Sequence, residues 1–200
     1  MVIFIEPHCD DFILSAGMYF LQNNPVDKVI TVFNSNGNEE TKNLCKFLEI
    51  KDYMDLGMCN LDWKHPIILF TITEIKNRLS FIRKEDTILT VLGVGNVAHK
   101  FLVEFLINTL DVNNFIFFRD FPHSYDRMKL KEIDFAFYTK NRFKLVNKYG
   151  DNPCFKTKID LFKKFYPTQH SLLWFEREQF SSFVEEEAFR YNLIHKNLWI

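Results

Sequence analysis

The chain contains no Cys-x-x-Cys pair; its four cysteines, Cys9, Cys45, Cys59 and Cys154, are scattered. That spacing argues against a zinc ribbon and a disulfide scaffold, and fits a reducing compartment. No run of about 18 apolar residues occurs, so no membrane span is expected. No basic stretch precedes an apolar one at the start, where Glu6, His8, Asp10 and Asp11 interrupt the hydrophobicity. A signal peptide is therefore not expected, and a cytoplasmic location is. Charge of one sign is also lacking: 25 Lys and Arg against 26 Asp and Glu leave a formal charge of -1. A nearly neutral chain has no global field to hold nucleic acid or an anionic membrane, and neither is an expected partner. Repeats, low-complexity tracts and linkers are absent as well. The 200 residues read as one domain, with a core over 1–120 and a C-terminal extension over 121–200. The sequence does not disclose an oligomeric state.

What the chain has in quantity is phenylalanine, 23 copies, which implies thick aromatic packing. Short apolar runs alternate with amphipathic stretches. Strands are expected at 2–6, 28–33, 53–56, 87–92 and 115–118, and helices at 12–21, 39–48, 72–82 and 98–110. Such alternation implies a three-layer α/β fold, Rossmann-like, with a mostly parallel sheet. Beyond residue 120 the pattern changes. A strand at 132–138 would pair antiparallel with 142–146, a helix would cover 155–165, and 187–194 would return as an edge strand. The fold expected is thus a mostly parallel sheet with a small antiparallel C-terminal extension.

The most telling segment is Pro7-His8-Cys9-Asp10-Asp11, directly after the apolar run Val2-Ile3-Phe4-Ile5. Adjacent carboxylates at a rigid strand end repel unless a positive charge lies beside them, and a divalent metal would serve. His supplies a neutral nitrogen and one Asp an anionic oxygen, while the other Asp can act as a base. Open parallel sheets bind ligands beyond the carboxyl ends of their strands. A second such end carries Gly93-Val94-Gly95-Asn96-Val97-Ala98-His99, which places His99 on the first turn of a helix. If the two strands are neighbours, His8, Asp11 and His99 converge with an open position, the ligand set of a catalytic zinc.

These residues resemble the PIG-L/LmbE-like deacetylases: strand-Pro-His-x-Asp-Asp, Gly17 six residues after the second Asp, and a later His after a Gly-containing strand end. The resemblance covers roughly the first 120 residues and continues more loosely through 118–122 and Tyr166-Pro167-Thr168-Gln169. It implies a zinc-dependent hydrolase that removes the acyl group from an N-acetylated amino sugar or its conjugate. Carried over, His8, Asp11 and His99 would hold Zn2+ or another divalent cation, and Asp10 would deprotonate the water on it. Asn96 stands where the family has His and would steady the oxyanion. Asp120 and Gln169 would contact the substrate. The pattern departs at Phe12, where many members have Glu, and an Arg on the helix after the second strand has no clear counterpart. Asn96 and that missing Arg leave two alternatives: an amidase for another amide, such as a thiol conjugate or antibiotic intermediate, or a metal-holding sugar-binding relative without turnover.

Plainer readings exist for each residue. Asp10 would cap a helix and Asp11 complement its dipole, with His8 incidental. Asn96 would cap the helix that carries His99, which is compatible with an oxyanion role. Cys9 points away from His8 as a small core residue. Gly17 lets its helix approach the sheet. Trp63 in a loop would pack or stack on a sugar, and His123 and His170 would sit in loops near the pocket. The basic stretch 127–148 reads as a solvated strand face, and Glu185-Glu186-Glu187 as an exposed helical face.

Overall fold

The computed structural model describes residues 1–33, 38–58, 68–94, 96–121, 142–170 and 185–191, without the side chains of 68–71 and 169–170. At the centre of the five parallel strands is β1 (Val2–Glu6), parallel to β2 (Lys28–Phe33) on one side and β4 (Thr87–Val91) on the other. Outside these lie β3 (Asp52–Met58) beside β2 and β5 (Asn114–Phe118) beside β4, both parallel to their neighbours. Two antiparallel strands extend the β5 side, β7 (Glu186–Tyr191) and then β6 (Phe143–Tyr149), so the order is β3-β2-β1-β4-β5-β7-β6.

Alternation along β1 explains the three layers. Ile3 and Ile5 join one apolar cluster with Ile75 of α3 (Ile68–Arg78) and Leu102 of α4 (Val97–Thr109). Phe4 joins the opposite cluster with Phe12 of α1 (Asp11–Leu21), Leu44 of α2 (Asn38–Phe47) and Phe162 of α5 (Asn152–Phe165). Both faces of β1 are buried, so the strand reads as a continuous apolar run, as parallel strands do. The aromatic surplus is spent here: Phe4 meets Phe12 at 5.3 Å and Phe118 at 6.4 Å between centroids. A last short helix, α6 (Pro167–His170), follows α5.

Several expectations need correction. The helix expected over 72–82 is α3 at Ile68–Arg78; Leu79, Phe81 and Ile82 still pack on the core, but from the turn that follows it. Core-facing residues after a helix end prolong its periodicity. The partner of β6 is β7, and the strand expected at 132–138 lies outside the described residues. β7 is not an edge: it lies between β5 and β6, and Glu186 is 3% exposed in a strand instead of on an open helical face. Its carboxylate is 3.0 Å from Lys158 Nζ and accepts the Met18 and Tyr19 N–H groups. Gly17 faces the stem of Lys158. A Cβ there would lie 3.2 Å from Lys158 Cδ and 2.9 Å from Ile13 Cδ1.

Candidate active site

Strand order brings the two loops together. β1 and β4 are hydrogen-bonded neighbours, and Thr90 Oγ1 donates to the Ile5 carbonyl at 2.7 Å close to their carboxyl ends. From β1 the chain turns through Pro7 and His8 into α1, the His8 N–H donating to Asp11 Oδ2 at 2.9 Å. From β4 it turns at Gly93, whose φ of +84° suits glycine. A Cβ on Gly93 would lie 3.0 Å from the Lys100 backbone, so the glycine also lets the loop pass tightly over the start of α4. Asn96 caps that helix, its side chain accepting the Ala98 N–H at 2.9 Å. Among the described residues no acceptor takes its Nδ2 hydrogens.

The result is a triangle of ligand atoms. His8 Nδ1 and His99 Nε2 are 3.1 Å apart, His99 Nε2 and Asp11 Oδ2 3.3 Å, and His8 Nδ1 and Asp11 Oδ2 3.8 Å. Four ligands at ~2.0–2.1 Å around a tetrahedral ion are separated by about 3.3 Å. The triangle therefore fits one small divalent cation, and these three side chains form a cluster able to hold one. Asp11 and His99 are 3% and 1% exposed, while His8 is partly open.

Asp10 occupies the N-cap position of α1 but makes no capping hydrogen bond, so the plainer reading of that residue does not describe it. The Phe12 N–H is met instead by Glu6 Oε2 at 2.8 Å, and Glu6 Oε1 accepts from Thr31 Oγ1 at 2.6 Å. Asp10 is half-buried beside the triangle. Glu6 is a residue the sequence reading missed, although a carboxylate ending a buried apolar strand is itself a signal. Cys9 is fully buried, and its carbonyl accepts a hydrogen bond from Thr41 Oγ1. Thr41 is also 3.0 Å from the Tyr166 hydroxyl, a link that no sequence signal marked.

The electrostatics of the cluster favour a cation there. Burial raises the pKa of Glu6 and Asp10 and pushes Asp11 up to about 7, with neighbouring carboxylates adding to each shift. His99 goes the other way from what burial alone would do, which is to lower it. The Asp11 charge and the Asp120 hydrogen bond hold it up at about 9. Buried anions crowded together in this way are what a cation would relieve.

Asp120 lies just past β5 and is 0% exposed, with Oδ1 2.8 Å from His99 Nδ1 and Oδ2 accepting the Val94 N–H at 3.0 Å. In α6, Thr168 is tied to α2 by donating its N–H and hydroxyl to Glu40 at 3.1 and 2.7 Å; Gln169 follows it in this helix. The side chains of Gln169 and His170, and residues Trp63 and His123 altogether, lie outside the described residues.

The molecule is thus a three-layer, mostly parallel α/β protein with a His-Asp-His cluster at the carboxyl edge of its sheet. No protein-family model matches the chain. No curated protein matches it either. Solved structures do. One is a deacetylase in the biosynthesis pathway of teicoplanin, in complex with bog: 14% identity, 96% of this chain and 98% of that one covered, TM-score 0.65. Another is a triple mutant of a deacetylase involved in the teicoplanin pathway, with 12% identity, 96% and 98% coverage and a TM-score of 0.62. A third is the A40926 pseudoaglycone deacetylase, with 13% identity, 95% of each chain covered and a TM-score of 0.60. At these identities the likeness establishes the fold, and it runs the length of the chain, antiparallel strands included.

Proposed function

We propose that this chain is a divalent-metal amide hydrolase, with zinc as the ion, that removes the acetyl group from an N-acetylated amino sugar or its conjugate. The observation that carries it is the triangle of His8 Nδ1, Asp11 Oδ2 and His99 Nε2, with Asp10 next to Asp11 in the chain and within reach of the His99 charge. Neighbours of the same fold that are deacetylases support the reaction class. A bound cation of this kind lowers the pKa of a water and polarises an amide carbonyl.

The chain's own residues then divide the work. Asp10 takes a proton from the attacking water and returns it to the departing amine. Its raised pKa suits that exchange: burial weakens the charged form, while its own backbone N–H and the His99 charge pull the other way. Asn96, anchored as a cap through Oδ1, offers Nδ2 to the carbonyl oxygen as charge builds there. An amide cannot carry a proton, so all proton transfer falls to Asp10. Thr41 and Glu6 hold the turn that presents Asp10, through the Cys9 carbonyl and the Phe12 N–H.

The test is amine release from a panel of N-acetylated sugars, with and without chelator, for the native chain and Asp10→Ala. Turnover should vanish on chelation and return with Zn2+, and Asp10→Ala should lose about 10²–10⁴-fold, the usual contribution of a general base. Turnover that survives both treatments would remove the proposal.

A further inference from the structure

We propose that Asp120 is a positioning residue that dictates which nitrogen of His99 faces the ligand triangle; this rests on the metal-site reading above. The argument is one of hydrogen-bond inventory. Asp120 is 0% exposed, and both its oxygens are engaged, Oδ1 with His99 Nδ1 at 2.8 Å and Oδ2 with the Val94 N–H at 3.0 Å. A carboxylate only accepts, so His99 Nδ1 must be the donor. The neutral ring then has its lone pair on Nε2, the atom 3.1 Å from His8 Nδ1 and 3.3 Å from Asp11 Oδ2. Paired in this way, a carboxylate fixes the tautomer and orientation of a metal-binding histidine. Full burial behind His99 gives Asp120 this task in place of the substrate contact expected from the sequence.

The position of Asp120 is itself fixed from several sides. The preceding Arg119 N–H donates to the Glu187 carbonyl of β7 at 3.0 Å, and the following Phe121 N–H donates to Ser15 Oγ of α1 at 3.1 Å. The antiparallel strand β7 and the helix that carries Asp11 thus hold the residue that aims His99. Asparagine cannot replace it. With Oδ1 on the Val94 N–H, its amide would donate to His99 Nδ1 and drive the ring proton onto Nε2, blocking the metal. Turned over, it would set a donor against the Val94 donor and leave a buried N–H unmet.

Two readouts test this. In the metal-free chain at alkaline pH, where the ring is neutral, long-range ¹⁵N NMR of His99 should find the proton on Nδ1, and in Asp120→Asn on Nε2. Zn2+ competition against a chromogenic chelator should give one site in both, about 10–100-fold weaker in Asp120→Asn. A native ring protonated on Nε2, or an Asp120→Asn affinity within about twofold of native where ~10-fold or more is expected, overturns the proposal. If the native chain takes up no Zn2+, the metal reading falls, and the NMR assignment alone still decides the role of Asp120. The same native-chain assignment decides it if Asp120→Asn does not fold.

Discussion

Replacing Lys158 tests the stability of the support behind the site. Its ammonium is 1% exposed, 3.0 Å from Glu186 Oε1 and 2.7 Å from the Leu14 carbonyl, between the rings of Phe121 and Phe155. Burial lowers the Lys158 pKa and raises that of Glu186, each opposed by the charge of the other. Lys158→Met keeps the volume and the aromatic contacts but leaves a buried carboxylate held by two helix N–H groups. Breaking a buried pair from one side costs about 3–5 kcal/mol. For a chain of 200 residues, at ~2–4 °C per kcal/mol, that is roughly 6–20 °C of melting temperature.

The pH dependence fixes the cause. Without the lysine, the folded-state pKa of Glu186 rises further, and the folded chain holds a proton that the unfolded chain has already released. Stability from such a group is fully present below the ordinary carboxylate pKa and declines as pH climbs through the raised one, by about 1.4 kcal/mol per unit. Lys158→Met should therefore be hurt more at pH 8 than at pH 5. Adding Glu186→Gln should restore part of the loss at pH 8, because no buried charge then remains. Urea unfolding at the two pH values measures all of this. A Lys158→Met loss within about 0.5 kcal/mol of zero at pH 8, the range of ordinary surface changes, would refute the reasoning, as would an equal loss at both pH values.

Other outcomes follow from the same geometry. Gly93→Ala must accept φ of +84° and a Cβ 3.0 Å from the Lys100 backbone, so it should lose about 1–3 kcal/mol and weaken Zn2+ binding, read by calorimetry. The metal-free chain should weaken as pH rises from 5 to 9. Asp11, raised to about 7, and His99, raised to about 9, both bind protons more tightly folded than unfolded, so their contributions fade as pH passes those values. Added Zn2+ should reverse the trend, since the ligands must shed protons to bind it; melting curves at four pH values with and without the ion would show whether the slopes cross.

The α/β core was legible because buried parallel strands such as Lys28–Phe33 are short runs dominated by β-branched and aromatic residues, bounded by turn-forming ones. The His8, Asp11 and His99 cluster was legible in kind but not in fact. Ligand chemistry is written in residue types, whereas the meeting of residues 8 and 99 depends on β1 pairing with β4 across more than eighty residues. No local pattern encodes strand order. Glu186 shows the opposite failure. Three consecutive glutamates look solvated, and it takes Lys158 on a helix 28 positions earlier, with the Met18 and Tyr19 N–H groups, to make burying the middle one tolerable.

That failure bears on how the chain divides. A change of pattern at residue 120 suggests a core followed by an appendage, yet β7 pairs with β5 inside the same sheet. Glu186 of β7 binds the backbone of α1 at Met18 and Tyr19, and Glu187 holds Arg119 through both its carbonyl and its carboxylate. α1 carries Asp11, and Arg119 precedes the residue that aims His99. Two of the three proposed ligands are thus braced by a strand that local sequence rules place on the periphery. A chain cut at residue 120 would keep every proposed ligand and lose the groups that hold two of them in register. Its Zn2+ affinity should fall well before its α/β secondary structure does, a separation that circular dichroism and chelator competition on the truncated chain would resolve.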